Sequence, residues 1–246
     1  MKALLVTSQT TFVPDNYDAV ITALAAHPGI GGLLTLDNRD AGLALKALWL
    51  IGCGAWRLGF TLLANLGPAS RRRRMAAYGA FRKPVWTAAS INGPDALKTV
   101  RDYGFDLIVN ARTREIYKHD ILSAPAIGCI NLHHGLLPEQ RGTMCDLWAL
   151  SEKQPAGFSL HVMTPGIDEG GILARCVVSD GQDRHYPRYL RRAGVQEVEE
   201  TGRVLDAIAV SHRFDAAPNP APDQRILRRN PNRAQLRRMI RNGMKL

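Results

Sequence analysis

The sequence predicts an α/β protein with a doubly wound, mostly parallel sheet. Along residues 2–178, short β-branched and aliphatic runs alternate with helical patterns, the rhythm of strands joined by crossover helices that cover both faces. The length of 246 residues suits one such domain plus a modest appendage. A composition of 46% hydrophobic and 22% charged residues supports a packed core and excludes a disordered or collagen-like chain. The four cysteines are too widely spaced for a metal knuckle or a dense disulfide framework, so a reduced, cytoplasmic protein is expected.

The expected strands are residues 2–7, 32–36, 84–88, 106–110, 128–132, 158–163 and 172–178. The first apolar stretch is too short for a secretory signal and reads as the first strand. Residues 16–26 keep helical spacing and stop at His27-Pro28-Gly29, and Asn92-Gly93-Pro94-Asp95 opens a helix that Gly104 closes. A further helix is expected over 195–209. Residues 216–222 read as a stiff proline-rich linker to a basic tail.

Residues 37–83 interrupt this rhythm with an apolar and basic insertion. The stretch 43–66 carries only Lys46 and Arg57 as charges and, as one helix, would be about long enough to span a bilayer. At about 100° per residue the two charges fall on one face, with Trp49, Trp56 and Phe60 on the adjoining face. Two placements stay open: a helix lying along a membrane surface, or one hidden in the core or a dimer contact. Leu48 to Gly54 imitates a dinucleotide loop, but Arg57 stands where the third glycine belongs, so no nicotinamide or flavin cofactor is expected.

The formal charge is +10, and it is concentrated. Arg71, Arg72, Arg73 and Arg74 form one run. Arg225, Arg228, Arg229, Arg233, Arg237, Arg238, Arg241 and Lys245 form the other, in a 225–246 tail without an acid; the rest of the chain is about neutral. Both runs suit an anionic membrane surface or RNA phosphates, and both equally suit a solvated face.

Chemistry is concentrated between residues 106 and 176. Asn131 and His133 alternate at the carboxyl end of a strand, the edge where open parallel sheets bind ligands. Asp168 sits in a glycine-flanked loop able to return to the same edge. An amide donor, an imidazole and a carboxylate make a set for acyl transfer, although the spacing alone also fits a histidine satisfied at a strand end.

The ordered elements Asn131-x-His133, Leu136-Leu137-Pro138, Arg141-Gly142 and Asp168-x-Gly170 resemble the core of the folate-dependent formyltransferases. The resemblance covers about residues 1–180 and includes Trp148-Ala149-Leu150 and the 157–161 strand. It implies a Rossmann-like formyltransferase catalytic domain over 1–180, followed by a helical region over 181–215 and the linker and tail over 216–246. It implies 10-formyltetrahydrofolate as donor, a primary amine as acceptor, and no metal.

By the same resemblance, Asn131 hydrogen-bonds the formyl oxygen as it becomes an oxyanion. His133 stabilises that charge and shuttles protons, and Asp168 raises the histidine pKa and helps deprotonate the amine. The pteridine is expected against Asn110, Ala111 and Arg112 and against the loop holding Thr164, Gly166 and Ile167, largely through backbone groups. Cys145 and Ala111-Arg112 depart from the family pattern, while the doubled His133-His134 also occurs in its hydrolase branch, where water replaces the amine.

Among acceptors, an amino sugar on a nucleotide or lipid carrier comes first. The 68 residues after Val178 are expected to be too few for the barrel of the initiator-tRNA branch. The tRNA and glycinamide ribotide reactions, hydrolysis, a non-catalytic binding module and a homodimer remain as alternatives. His161 is expected to be structural.

Overall fold

The computed structural model describes residues 1–39, 41–220 and 227–246, with Ala41 as backbone only. In chain order the strands are β1 (Ala3–Ser8), β2 (Ile30–Leu36), β3 (Val85–Ala88), β4 (Leu107–Ala111), β5 (Gly128–His133), β6 (Arg141–Gly142), β7 (Ala156–Val162), β8 (Ile172–Ser179) and β9 (Leu227–Arg228). All seven expected runs are strands of one sheet, ordered β3-β2-β1-β4-β5-β7-β8. Pairings from β3 through β5 are parallel, whereas β7 runs antiparallel to both β5 and β8.

The helices are α1 (Asp18–Leu24), α2 (Ala41–Gly52), α3 (Trp56–Asn65), α4 (Ala69–Ala80), α5 (Pro94–Asp102), α6 (His119–Leu122), α7 (Cys145–Ser151), α8 (Tyr186–Ser211) and α9 (Arg233–Arg241). They cover both faces because successive strand residues point to opposite sides. Leu5, Leu33, Val109 and Ile130 enter the larger core with α1, α3 and α8, while Leu4, Val6, Leu34 and Ile108 enter a second core with α5 and α6.

Several expectations are corrected. The helix expected from residue 16 starts at Asp18, because Asp15, Asn16 and Tyr17 adopt left-handed backbone (φ 53°, 57° and 65°) within the short 3-10 turn Pro14–Tyr17 that precedes it. The single helix expected over 43–66 is two, α2 and α3. Gly54, at φ +90°, turns the chain between them, a conformation that costs glycine little. Among the described residues no helix is long and apolar enough to cross a membrane.

The expected free tail folds back onto the domain. Leu236, Met239, Met244 and Leu246 are buried in the larger core, and the Arg57 N–H donates to the Leu246 carbonyl at 3.0 Å. β9 pairs with β6, and Ala217 of the expected linker exchanges two backbone hydrogen bonds with Ile172. Arg225 and the linker residues Ala221 and Pro222 lie outside the described residues.

The arginine run is also partly structural. Arg74 is 1% exposed: Nε donates to Asp18 Oδ1 (2.7 Å), Nη1 to the Ser8 carbonyl (3.1 Å) and Nη2 to the Asn16 carbonyl (2.8 Å). Arg73 and the Ser70 hydroxyl also donate to Asp18. Asp18→Asn strands the buried Arg74 cation, so unfolding by urea should show a loss of about 3–5 kcal/mol. Breaking the exposed Arg191–Asp15 pair should change little.

Candidate active site

The site is assembled by strand register. Asn110 on β4 lies opposite Asn131 on β5, which lies opposite His161 on β7, so three polar residues form one row across the sheet. The carboxamides fix one another. Asn110 Nδ2 donates to Asn131 Oδ1 (2.8 Å), and Asn110 Oδ1 accepts the Thr113 and Tyr117 hydroxyls (2.7 and 3.2 Å). Asn131 therefore presents its N–H, which meets His161 Nε2 at 3.1 Å. The carbonyl of Val162 can only accept, so its 2.8 Å contact with His161 Nδ1 places the ring proton there and leaves Nε2 facing Asn131.

Asp168 enters from the loop between β7 and β8 in a left-handed conformation (φ 55°) and is 9% exposed. Its Oδ1 lies 3.5 Å from both His133 Nδ1 and His161 Nε2, and its Oδ2 accepts the Gly142 N–H at 2.8 Å. The loop is held from behind: Asn219 Nδ2 donates to the Asp168 and Gly170 carbonyls, and Arg141 Nη2 donates to Asn219 Oδ1. The expected linker is thus part of the site's support.

His133 Nε2 lies 2.6 Å from the Gln140 carbonyl, so Nε2 carries the proton of the neutral ring and Nδ1 faces Asp168. Gly135 makes room for this ring, because a Cβ there would lie 2.6 Å from His133 Nε2 and 2.7 Å from the Gln140 carbonyl. Burial pushes the imidazole below the ordinary value of 6.5; Asp168 pulls the other way without offsetting it, and His161 and His134 add to the lowering. The sequence expectation of a raised histidine pKa is therefore reversed. For Asp168, burial alone would raise the pKa, but His133, His161 and the Gly142 N–H outweigh it and hold the carboxyl below the usual range.

The expected folate-contact residues divide. Asn110 is committed to Asn131, and Ala111 is fully buried. The Arg112 side chain turns inward from a left-handed backbone (φ 62°), with Nη2 at 2.8 Å from His134 Nδ1 and its guanidinium 4.9 Å from the centre of the Tyr17 ring, which leaves only backbone for a ligand. His134 Nδ1 also lies 3.0 Å from Glu197 on α8. Thr164 and Ile167 are exposed and Gly166 half-buried on the loop that delivers Asp168.

His161, expected to be structural, also stands in the cluster. Its signal was the pair Ser159 and His161, two polar residues on one face of an otherwise apolar strand. Asn219 and Gln140 carry no comparable mark. Among the described residues no group of three His, Cys, Asp or Glu side chains is arranged to hold a metal ion.

The mixed sheet thus brings an amide, two imidazoles and a carboxylate together at its carboxyl edge. The chain belongs to the formyl transferase family, whose model, described as "Formyl transferase", matches residues 65–198. It is 29% identical over 128 residues to a methionyl-tRNA formyltransferase of Geobacter metallireducens, a match covering 52% of this chain and 41% of that one. The chain thus aligns with about two-fifths of that relative's length.

Solved structures share the fold. The glycinamide ribonucleotide transformylase 1 of Symbiobacterium toebii superposes with a TM-score of 0.58 at 18% identity, over 88% of this chain and 94% of that one. A sugar N-formyltransferase from Shewanella sp. superposes at 0.56 and 13% identity, over 98% and 87%.

The His133 assignment has a direct check. In NMR titration its ring carbon should shift with a midpoint below 6.5, and Asp168→Asn, which removes the group pulling the pKa up, should move the midpoint lower still. An upward move would contradict the geometry.

Proposed function

We propose that the chain transfers a formyl group from 10-formyltetrahydrofolate to a primary amine, the acceptor being an amino sugar on a nucleotide or lipid carrier. The observation that carries this reading is the convergence of Asn131, His133 and Asp168 through His161 at one sheet edge. Membership of the formyl transferase family supports it.

The residues suit each step. Attack of the amine on the formyl carbon places negative charge on the formyl oxygen, and Asn131 Nδ2–H, oriented by Asn110, is the donor for it. One such donor is worth about 2.7–4 kcal/mol in a preorganised site. Neutral His133 takes the amine proton at Nδ1, where the Asp168 carboxylate favours the resulting imidazolium. The proton then passes to the folate nitrogen as the carbon–nitrogen bond breaks. Burial helps here, because a ring kept neutral at rest has a free lone pair at neutral pH.

The preferred acceptor is supported by a second opening. A small opening of about 40 Å³ beside β1, β2 and β3 is lined by Gln9, Thr35, Arg71, Arg74, Met75, Val85 and Thr87. At its rim the exposed Arg71 guanidinium and the Thr87 hydroxyl suit the phosphate of a nucleotide- or lipid-linked sugar. The methionyl-tRNA relative favours a second reading, with tRNA as acceptor.

Incubation with 10-formyltetrahydrofolate and, separately, nucleotide-linked amino sugars, aminoacyl-tRNA, glycinamide ribotide or buffer distinguishes transfer from hydrolysis. His133→Ala and Asp168→Asn should each lower transfer at least about a hundredfold with the circular dichroism spectrum unchanged; retention of more than about a tenth of the rate refutes the roles. Because the working form of His133 is neutral and its pKa is lowered, kcat should hold at neutral pH and fall only as pH drops below 6.5. A fall beginning above that value would count against His133 as the proton acceptor.

A further inference from the structure

We propose that the α2–α3 hairpin is a docking face for an anionic lipid bilayer. The hairpin is apolar on two sides. Leu43, Ala47, Leu50, Leu58 and Leu62 face the core, while Leu45, Leu48, Trp49, Trp56 and Phe60 are 41–66% exposed. Scattered exposed apolar residues are ordinary, but here the stripes Leu45/Leu48/Trp49 and Trp56/Phe60 lie on two helices packed against each other.

Charge selects the occupant. Residues 41–94 contain no aspartate or glutamate. Lys46, Arg57 and Arg72 make no salt bridge among the described residues, and the Arg57 guanidinium lies 4.0 Å from the centre of the Trp56 ring. A cation beside an aromatic at the edge of an apolar stripe is the arrangement of helices that lie in the interface, with the apolar face in the acyl boundary and the basic groups on phosphates. With 12 and 10 residues, α2 and α3 are about 18 and 15 Å long, half of a bilayer's apolar thickness, so they lie on the surface instead of crossing it.

The other occupants fit less well. A two-fold contact with a second copy would bring Lys46, Arg57 and Arg72 against cations of the same segment with no acid to answer them. Single-stranded RNA uses arginines and aromatic platforms but has no use for exposed Leu45 and Leu48. The Arg71–Arg74 run contributes less than its composition suggests, since Arg73 and Arg74 are bound to Asp18, and the folded-back tail is not needed. The hairpin also stands beside the site's edge: Asn65 Nδ2 on α3 donates to the Thr11 and Val13 carbonyls (both 2.8 Å), in the loop leaving the carboxyl end of β1.

Docking of this kind is measured without turnover, so it stands or falls apart from the transfer reaction. The full chain is sedimented with vesicles of phosphatidylcholine alone or with about 30 mol% phosphatidylglycerol. Binding is expected on the anionic vesicles and weakens as salt rises from about 0.1 to about 0.5 M. Leu48→Glu with Phe60→Glu, both at exposed positions, should weaken it at least about tenfold. Arg57→Glu with Arg72→Glu should do the same, and Val210→Glu, 86% exposed on α8, should not.

Circular dichroism confirms that each variant is folded. Absence of binding to anionic vesicles at low salt overturns the proposal, as does binding that Leu48→Glu/Phe60→Glu leaves intact. A dimer in size-exclusion chromatography that this double variant dissolves, without vesicle binding, would assign the face to a second copy. Binding of tRNA without binding of vesicles would assign it to RNA. Either result refutes the bilayer.

Discussion

A carboxylate removed from water must be given polar neighbours, and much of the architecture around residues 130–220 supplies them to Asp168. The Gly142 N–H reaches one oxygen, and His133 and His161 stand 3.5 Å from the other. These neighbours outweigh burial, so the group stays ionised. Each neighbour imposes a condition elsewhere: Gly142 is placed by β6 pairing with β9, and His161 requires β7 beside β5. The loop itself is tied down by Asn219, which Arg141 holds. Removing the carboxylate would leave a row of polar groups without a common partner.

The antiparallel entry of β7 follows from the same constraint. Running antiparallel, β7 sets His161 opposite Asn131 and Ser159 opposite His133. Ser159 then bridges the loop after β5, donating to the Gly135 carbonyl and accepting the Leu137 N–H. The polar residues of β7 are therefore consumed at the site edge, and its apolar ones, Phe158 and Leu160, fill the larger core.

What was legible in the sequence is what short-range pattern encodes. The seven strands could be read because each is an apolar run bounded by turn residues, and Asn131, His133 and Asp168 because their spacing and order stand out. The pairing direction of β7 left no local mark, so the place of His161 beside Asn131 and Asp168 could not be read. The pKa of His133 failed for a related reason: the sequence shows the carboxylate that raises it but not the burial that outweighs it. The tail was misread because arginines dominate its composition, while Leu236, Met239, Met244 and Leu246, four apolar residues, decide where it goes.

The adjacent histidines show how environment separates identical side chains. His133 points to Asp168 with its other nitrogen on a backbone carbonyl, buried and kept neutral. His134, one residue on, faces Glu197 and Arg112 in a second buried cluster that also holds Asp146 and the Tyr17 and Tyr186 hydroxyls. There Glu197 is held below its usual range, since His134, Arg112 and the Tyr17 hydroxyl outweigh its burial, whereas burial wins at Asp146 and raises it. One carboxylate of that cluster thus carries the charge that balances Arg112 while the other tends toward the neutral acid. The cluster ties the ends of β4 and β5 to α7 and α8 beside His133, so the buried imidazole rests on a second network of paired polar groups.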